Sequence, residues 1–409
     1  MNRFSLKMSR YRLFGIFVGV FFFLAAFKPW FDIYFGITNN IITGFQLILC
    51  LFVTSLFIIK ELRFNVHLCT LVVFVLARLF SEFLYAYFEG RSMQELVGAV
   101  YSTLRLIMFC GLVLLVSQYK NFESVNNIRS IFLAYFFVTL LYSVLQHPML
   151  GNFTLLHTAG GNIVSANGLG AFRANGGIGG TVIAYSNFLL AVGWVVFYGE
   201  FNNKYFHLFL KLCFFVSLFL CFSRSVFLCI FVMYLINIVV KKKVVSAFAI
   251  SLITLVLAYY FADVISDNYA LMISNSDTGR VGGWKAMLGG SSALEFLLGS
   301  QVGQNTGLFL GGLTKNEGGD SFLIGTVNDY GIIGAILFVF VFSKLVFSFN
   351  IQKYSTILGI VGSFIVMTFV NSGFEKLVVM LSYMLALIII NKPVGREDQI
   401  AIPKYIVSR

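Results

Sequence analysis

Continuous apolar runs, each long enough to cross roughly 30 Å of hydrocarbon as a helix, follow one another along almost the whole chain. A chain patterned in this way cannot hide its apolar surface in water. Of its 409 residues, 59% are hydrophobic and 11% charged, where a soluble domain carries about 25% charged residues. Closed β-barrels also cross membranes, but their segments are short and alternate apolar with polar, whereas these runs are unbroken. The expectation is an all-α polytopic integral membrane protein, with residues 1–409 forming a single membrane domain in a lipid bilayer.

Apolar periodicity and loop charge predict about twelve spans, near residues 12–30, 40–59, 66–88, 96–116, 130–146, 179–199, 207–222, 225–240, 244–262, 331–349, 356–371 and 377–391. Lys and Arg collect in alternate loops: Arg3, Lys7, Arg10 and Arg12; Lys60 and Arg63; Lys120 and Arg129; Lys204; Lys241 to Lys243; Lys353; and Lys392, Arg396, Lys404 and Arg409. The positive-inside rule then puts both termini in the cytoplasm. Between Lys204 and Lys241 the chain must cross an even number of times. At roughly 1.5 Å per residue, the 34 residues from His207 to Val240 span about 51 Å, enough for two short helices with Ser223-Arg224-Ser225 at an outer tip. A single tilted helix would strand Arg224 in mid-membrane, at a cost of roughly 3 kcal/mol or more.

Two outer loops are long, residues 147–180 and residues 263–330, and the second holds much of the extramembrane charge and is long enough for a cap of short helices. Chemistry is therefore expected on the outer side. The formal charge of +12 is spread between apolar runs rather than gathered in one patch, so it reads as topology and not as a nucleic-acid surface. The six cysteines lie in apolar stretches without a histidine at metal-ligand spacing, which predicts neither disulfide nor structural metal. The basic start followed by an apolar run without a small-residue cleavage site reads as a retained first helix. None of the 37 glycines forms a phosphate loop.

Outward arginines are the leading candidates for chemistry: Arg173, Arg224 and Arg280. The guanidinium is a permanent planar fork that matches phosphate oxygens, so several converging on one site could hold a pyrophosphate. Each also has a plainer reading as a helix-end anchor, least so for Arg224, which lies between two apolar halves. Asp320, placed just before a span, is the candidate general base, with Glu317 as its substitute. Arg78 and Glu82 lie four residues apart on one helical face, where an internal ion pair fixing helix packing is the plainer reading. Arg105 joins the same buried network or extends an anionic path.

Read in order, the outer segments resemble the O-antigen polymerase and ligase superfamily. Phe172-Arg173-Ala174-Asn175-Gly176 followed by Asn187 resembles the family's arginine-and-glycine segment, and Phe222-Ser223-Arg224-Ser225 its Ser-Arg hairpin. Arg280 to Trp284, followed by Leu298-Gly299-Ser300-Gln301-Val302-Gly303, resembles its Arg-x-x-x-Trp segment and the turn after it. Asp320-Ser321-Phe322-Leu323 and Tyr330-Gly331-Ile332-Ile333-Gly334 resemble the end of the large periplasmic loop and a glycine-bearing helix start. The likeness covers about residues 165–345. It implies a GT-C-like (class B) fold in a bacterial inner membrane, with the active site facing the periplasm. It further implies a metal-independent, inverting Wzy-type polymerase without cofactor, acting on glycans linked to undecaprenyl pyrophosphate, with a polysaccharide chain-length regulator as partner. Arg173, Arg224 and Arg280 would hold the pyrophosphate, Asp320 would take the acceptor proton, and Trp284 and Asn187 would be secondary. Ligases of the superfamily carry a histidine where this chain has Asp320-Ser321, which favours polymerase over ligase. From another class, a lipid-linked oligosaccharide flippase would use polar residues along a path through the spans, and Arg78, Glu82 and Arg105 keep that alternative open.

Overall fold

A computed structural model describes residues 2–35, 39–58, 66–89, 93–118, 125–146, 174–177, 182–221, 223–240, 292–300, 302, 321–349, 351, 353–371, 374 and 376–391. Among these residues the chain is entirely helical: α1 (Asn2–Phe35), α2 (Asn39–Ile58), α3 (Val66–Glu89), α4 (Met93–Gln118), α5 (Val125–Leu145), α6 (Val182–Tyr198), α7 (Lys204–Cys221), α8 (Arg224–Val240), the short α9 (Ala293–Leu298), α10 (Phe322–Ser348), α11 (Tyr354–Val370) and α12 (Leu377–Ile390). Five of them, α3, α4, α5, α7 and α10 counted across a bend, are long and apolar enough to cross a membrane, and six shorter helices are apolar. The protein is a helical membrane protein with lipid as its surrounding solvent. The ninth expected span, near 244–262, lies outside the described residues.

The bundle is built around α12 and α6. Every residue of α12 is buried, as is α6 from Ala184 to Val196, because other helices of the bundle pack around both. α12 packs on α6, α4 and α5; α11 packs on α8 and α10; and α3 packs on α4 and α10. Hydrocarbon gives little hydrophobic drive between helices, so close packing and interhelical hydrogen bonds hold them. Trp194 shows both: its ring lies 4.8 Å from Tyr383, and its Nε1–H donates to Ser363 Oγ at 3.0 Å.

The stretch expected to cross twice is two helices, α7 ending at Cys221 and α8 starting at Arg224. Helix ends expected on one face do share one end of the bundle. Gln146, just after α5, meets Asn175 (2.7 Å), the Ala174 N–H donates to Leu220 O near the end of α7 (2.8 Å), and Ser225 at the start of α8 meets Asn371 at the end of α11 (3.0 Å). At the opposite end, Arg129 near the start of α5 donates to Glu200 O after α6 at 3.1 Å and covers the Phe201 ring.

α10 departs from expectation. Residues 322–330, assigned by sequence to the end of the large loop, form a helix whose side chains are almost all buried. Gly331 is non-helical inside α10 (φ 69°, ψ 177°), and the chain folds back there. The Phe322 and Phe338 rings lie 5.1 Å apart, and both touch Phe374, whereas a straight helix would separate those positions by about 24 Å. α10 is therefore a buried half-helix, residues 322–330, doubled against a spanning helix, residues 332–348. Glycine alone adopts this backbone readily, so the loop boundary read from hydropathy falls at the bend rather than at the membrane surface.

Candidate functional site

Two polar clusters occupy the end of the bundle that holds the Ser223–Ser225 break, and the half-helix of α10 runs between them. The first centres on Asn371. Its Nδ2 donates to Ser186 Oγ at 3.2 Å and to Ser225 Oγ at 3.0 Å, while its backbone O accepts from Phe322 N at 3.1 Å. Ser321 caps the half-helix by accepting from Ile324 N at 3.1 Å. The Asn371 side chain thus joins the start of α8 to α6, and its backbone carbonyl ties in the start of α10. On the same end, Gly176 (φ 59°) packs where a Cβ would meet the Tyr185 ring, so the turn after Ala174 lies flush on α6.

This cluster gathers the neighbours of the leading sequence candidates. Ala174 follows Arg173, Ser225 follows Arg224, and Phe322 is two residues from Asp320. The Arg224 backbone opens α8, while its side chain and the residues Arg173, Arg280, Trp284, Glu317 and Asp320 lie outside the described residues. Asn187 is buried beside the cluster, with Nδ2 donating to Ile183 O (3.0 Å) and Oδ1 accepting from Tyr383 O–H (3.3 Å). Its amide joins α6 to α12.

The second cluster lies among α3, α4, α9 and α10. Arg78 and Glu82 form an ion pair at 3.6 Å one turn apart on α3. Arg78 Nη2 donates to Gly299 O (3.3 Å) and Ser300 O (3.2 Å), its Nη1 donates to Ser81 Oγ (3.0 Å), and Glu82 Oε1 accepts from Val302 N (3.2 Å). The pair thus grips the turn after α9. From α4, Ser102 Oγ donates to Asp329 Oδ2 (2.9 Å) and Thr103 Oγ1 meets Tyr330 Oη (3.1 Å); Arg105 is buried one turn beyond Ser102. Ser300 closes the ring, its N–H donating to Asn328 O at 2.8 Å.

The segments Leu298 to Val302 and Tyr330 to Gly334, read separately in the sequence, therefore meet. The meeting depends on two glycines: a Cβ on Gly299 (φ 93°) would strike the Asp329 carbonyl, and one on Gly331 would strike the Leu297 carbonyl. In formal charge the second cluster sets Arg78 and Arg105 against Glu82 and Asp329. Among the described residues such a balanced set suits buried charges that satisfy one another. Among the described residues, no group of His, Cys, Asp and Glu is arranged to hold a metal ion.

Asp329, Ser102 and Asn371 were not singled out by sequence. Asp329 had a usable signal, a carboxylate directly before an apolar helix start. Asn371 closes the span expected over residues 356–371, and its three partners come from three distant segments. Compared with protein-family models, with curated proteins and with solved structures, the chain matches none.

Proposed function

We propose that this chain is a polysaccharide polymerase of the bacterial inner membrane, with about twelve spans in a GT-C-like arrangement. It transfers a growing glycan from undecaprenyl pyrophosphate to the non-reducing-end hydroxyl of an incoming lipid-linked repeat unit. What supports this reading is two sets of hydrogen bonds at one end of the bundle, Ala174 to Leu220, and Ser225 to Asn371 to Phe322. They bring the immediate neighbours of Arg173, Arg224 and Asp320 to one end of the bundle, which is what a shared site requires of segments so far apart in sequence.

In this proposal Arg173, Arg224 and Arg280 hold the donor pyrophosphate. The acceptor hydroxyl attacks the anomeric carbon from the opposite face, forming the new C–O bond as the bond to pyrophosphate breaks. The proton passes to Asp320, and the arginines stabilise the charge that gathers on the departing undecaprenyl pyrophosphate, a form of electrostatic catalysis by fixed cations. The test is polymer length on cells carrying Arg224→Ala or Arg280→Ala at normal protein level. Loss of long ladders with single repeat units retained is expected; full ladders would overturn the assignment.

A second reading is favoured by one observation, the buried Glu82, Arg105 and Asp329 with the half-buried Arg78 inside the bundle, since a lipid-linked oligosaccharide flippase needs polar groups along a path through its spans. Cells lacking the protein separate the two. Loss of a polymerase leaves single repeat units on the surface, whereas loss of a flippase leaves none.

A further inference from the structure

α9 and the turn after it present an unusual combination. None of α9's residues is buried: Leu294 is 66% exposed and Leu297 47%, with Phe296 and Leu298 also open. Yet the turn that follows is gripped by the bundle. Arg78 takes the carbonyls of Gly299 and Ser300, Glu82 takes Val302 N–H, Asn328 O takes Ser300 N–H, and Glu295 O takes Gly299 N–H at 2.7 Å. A turn in water has no need of an ion pair on a neighbouring helix to satisfy its backbone. Non-helical backbone at membrane depth does, because hydrocarbon offers no partner and each unmet group costs several kcal/mol.

Position along α3 gives the same answer. Arg78 stands about half-way along α3, and Glu82 about 10 Å short of its end at 1.5 Å per residue. Beyond Glu82, α3 still exposes Phe83, Leu84, Tyr85, Tyr87 and Phe88. α3 is one of the helices long and apolar enough to span, so its exposed apolar side is a lipid-facing surface, and its terminal tyrosines sit where aromatic side chains collect at a membrane interface. The turn at Gly299 is anchored below that level, and the leucines and phenylalanine of α9, directly before it, stand open.

We infer that residues 292–300 with Val302 are a re-entrant segment, dipping into one leaflet, whose α9 side chains contact lipid acyl chains. The segment enters at its N-terminal end, where the capping box between Ser292 and Glu295 (2.7 and 3.3 Å) satisfies the first turn at headgroup level. It reaches its deepest point at the Arg78–Glu82 clamp, and α10's half-helix lines its protein side. The partner is the bilayer itself, and the inference is independent of whether the chain is a glycosyltransferase.

The experiment uses the full chain in phosphatidylglycerol/phosphatidylethanolamine vesicles, with a nitroxide at Phe296→Cys or Leu297→Cys and unmodified protein as the background for the native thiols. Collision with dissolved oxygen should exceed collision with a water-soluble nickel chelate at both positions, as at a lipid-facing Val73→Cys label. A label at Asn202→Cys, in the exposed turn before α7, supplies the opposite, water-exposed pattern. Nickel accessibility at Phe296 or Leu297 equal to that at Asn202 overturns the inference. Because these side chains already stand open, replacing either one should not disturb assembly, and each position decides the question alone.

Discussion

The carbonyl oxygen of Leu297 occupies the place where a Cβ on Gly331 would stand. α9 can lie against the α10 bend only because residue 331 has no side chain, and the bend itself needs a φ of 69° that other residues avoid. Gly331→Ala should therefore lower stability by about 3 kcal/mol or more, combining backbone strain with steric displacement of α9. Gly325 is the control, since it lies in the half-helix with open space where its Cβ would go. Gly325→Ala should be neutral or stabilising, by up to about 1 kcal/mol, from helix propensity alone. Unfolding of the purified protein in mixed micelles measures both, and equal effects would refute the assigned bend.

The Arg78–Glu82 pair should behave as a clamp whose halves are worth more broken than absent. Arg78→Met leaves a buried carboxylate and the carbonyls of Gly299 and Ser300 without their donor, and removal of one partner of a buried pair costs about 3–5 kcal/mol. Glu82→Gln keeps an oxygen for Val302 N–H and should cost less. The Arg78→Met/Glu82→Met double variant should be less destabilised than the two single Met variants summed, as a double-mutant cycle would show. Strict additivity would mean that the two side chains act separately.

Hydropathy made the helical membrane class legible, because unbroken apolar runs leave a chain few other solutions. The α7–α8 break was legible too, from the demand that Lys204 and Lys241 to Lys243 stay on one side. What hydropathy could not show was direction. Residues 322–330 pass from an apolar start, Phe322 to Ile324, to the polar pair Asn328 and Asp329, and only the backbone at Gly331 turns them back into the bundle. Arg78 and Glu82 stood out as charges in an apolar run, but their work on the Gly299–Val302 turn joins positions more than two hundred residues apart. No local pattern carries that pairing. Asn371 was hidden for the same reason, since its partners Ser186, Ser225 and Phe322 come from separate segments.

Glu295 gives a pH-dependent prediction. The backbone N–H of Ser292, followed by its hydroxyl, holds the Glu295 carboxyl below its ordinary value of 4.5. A carboxyl with a depressed folded value stabilises the capped turn above its unfolded value, and that contribution disappears as pH falls below 4.5 through the folded value. A nitroxide at Leu294→Cys should therefore become more mobile as the pH is taken from above 4.5 to well below it, while the same label in Glu295→Gln should not change over that interval, since the amide cannot ionise. An identical pH response in both would exclude the capping box as the cause.

Asn371 tests the proposed function away from any charged group. Asn371→Leu keeps the backbone carbonyl that accepts from Phe322 but removes the amide that holds Ser186 and Ser225. Interhelical hydrogen bonds of this kind are worth about 0.6 kcal/mol each, so the protein should remain folded and abundant. Its effect should fall on the position of the α8 start relative to the α10 half-helix, and hence on the spacing between Arg224 and Asp320. Positioning errors of about 1 Å can cost about 100-fold in rate, so Asn371→Leu cells should show markedly shortened polymer at normal protein level. Asn371→Ala, which also lacks the amide, should resemble the Leu variant, whereas Ser186→Ala, which leaves the Ser225 bond in place, should retain most chain length. Full-length polymer in Asn371→Leu would sever the link between this hydrogen-bonded node and catalysis, leaving Asn371 a packing residue and the Arg224–Asp320 site without its principal structural support.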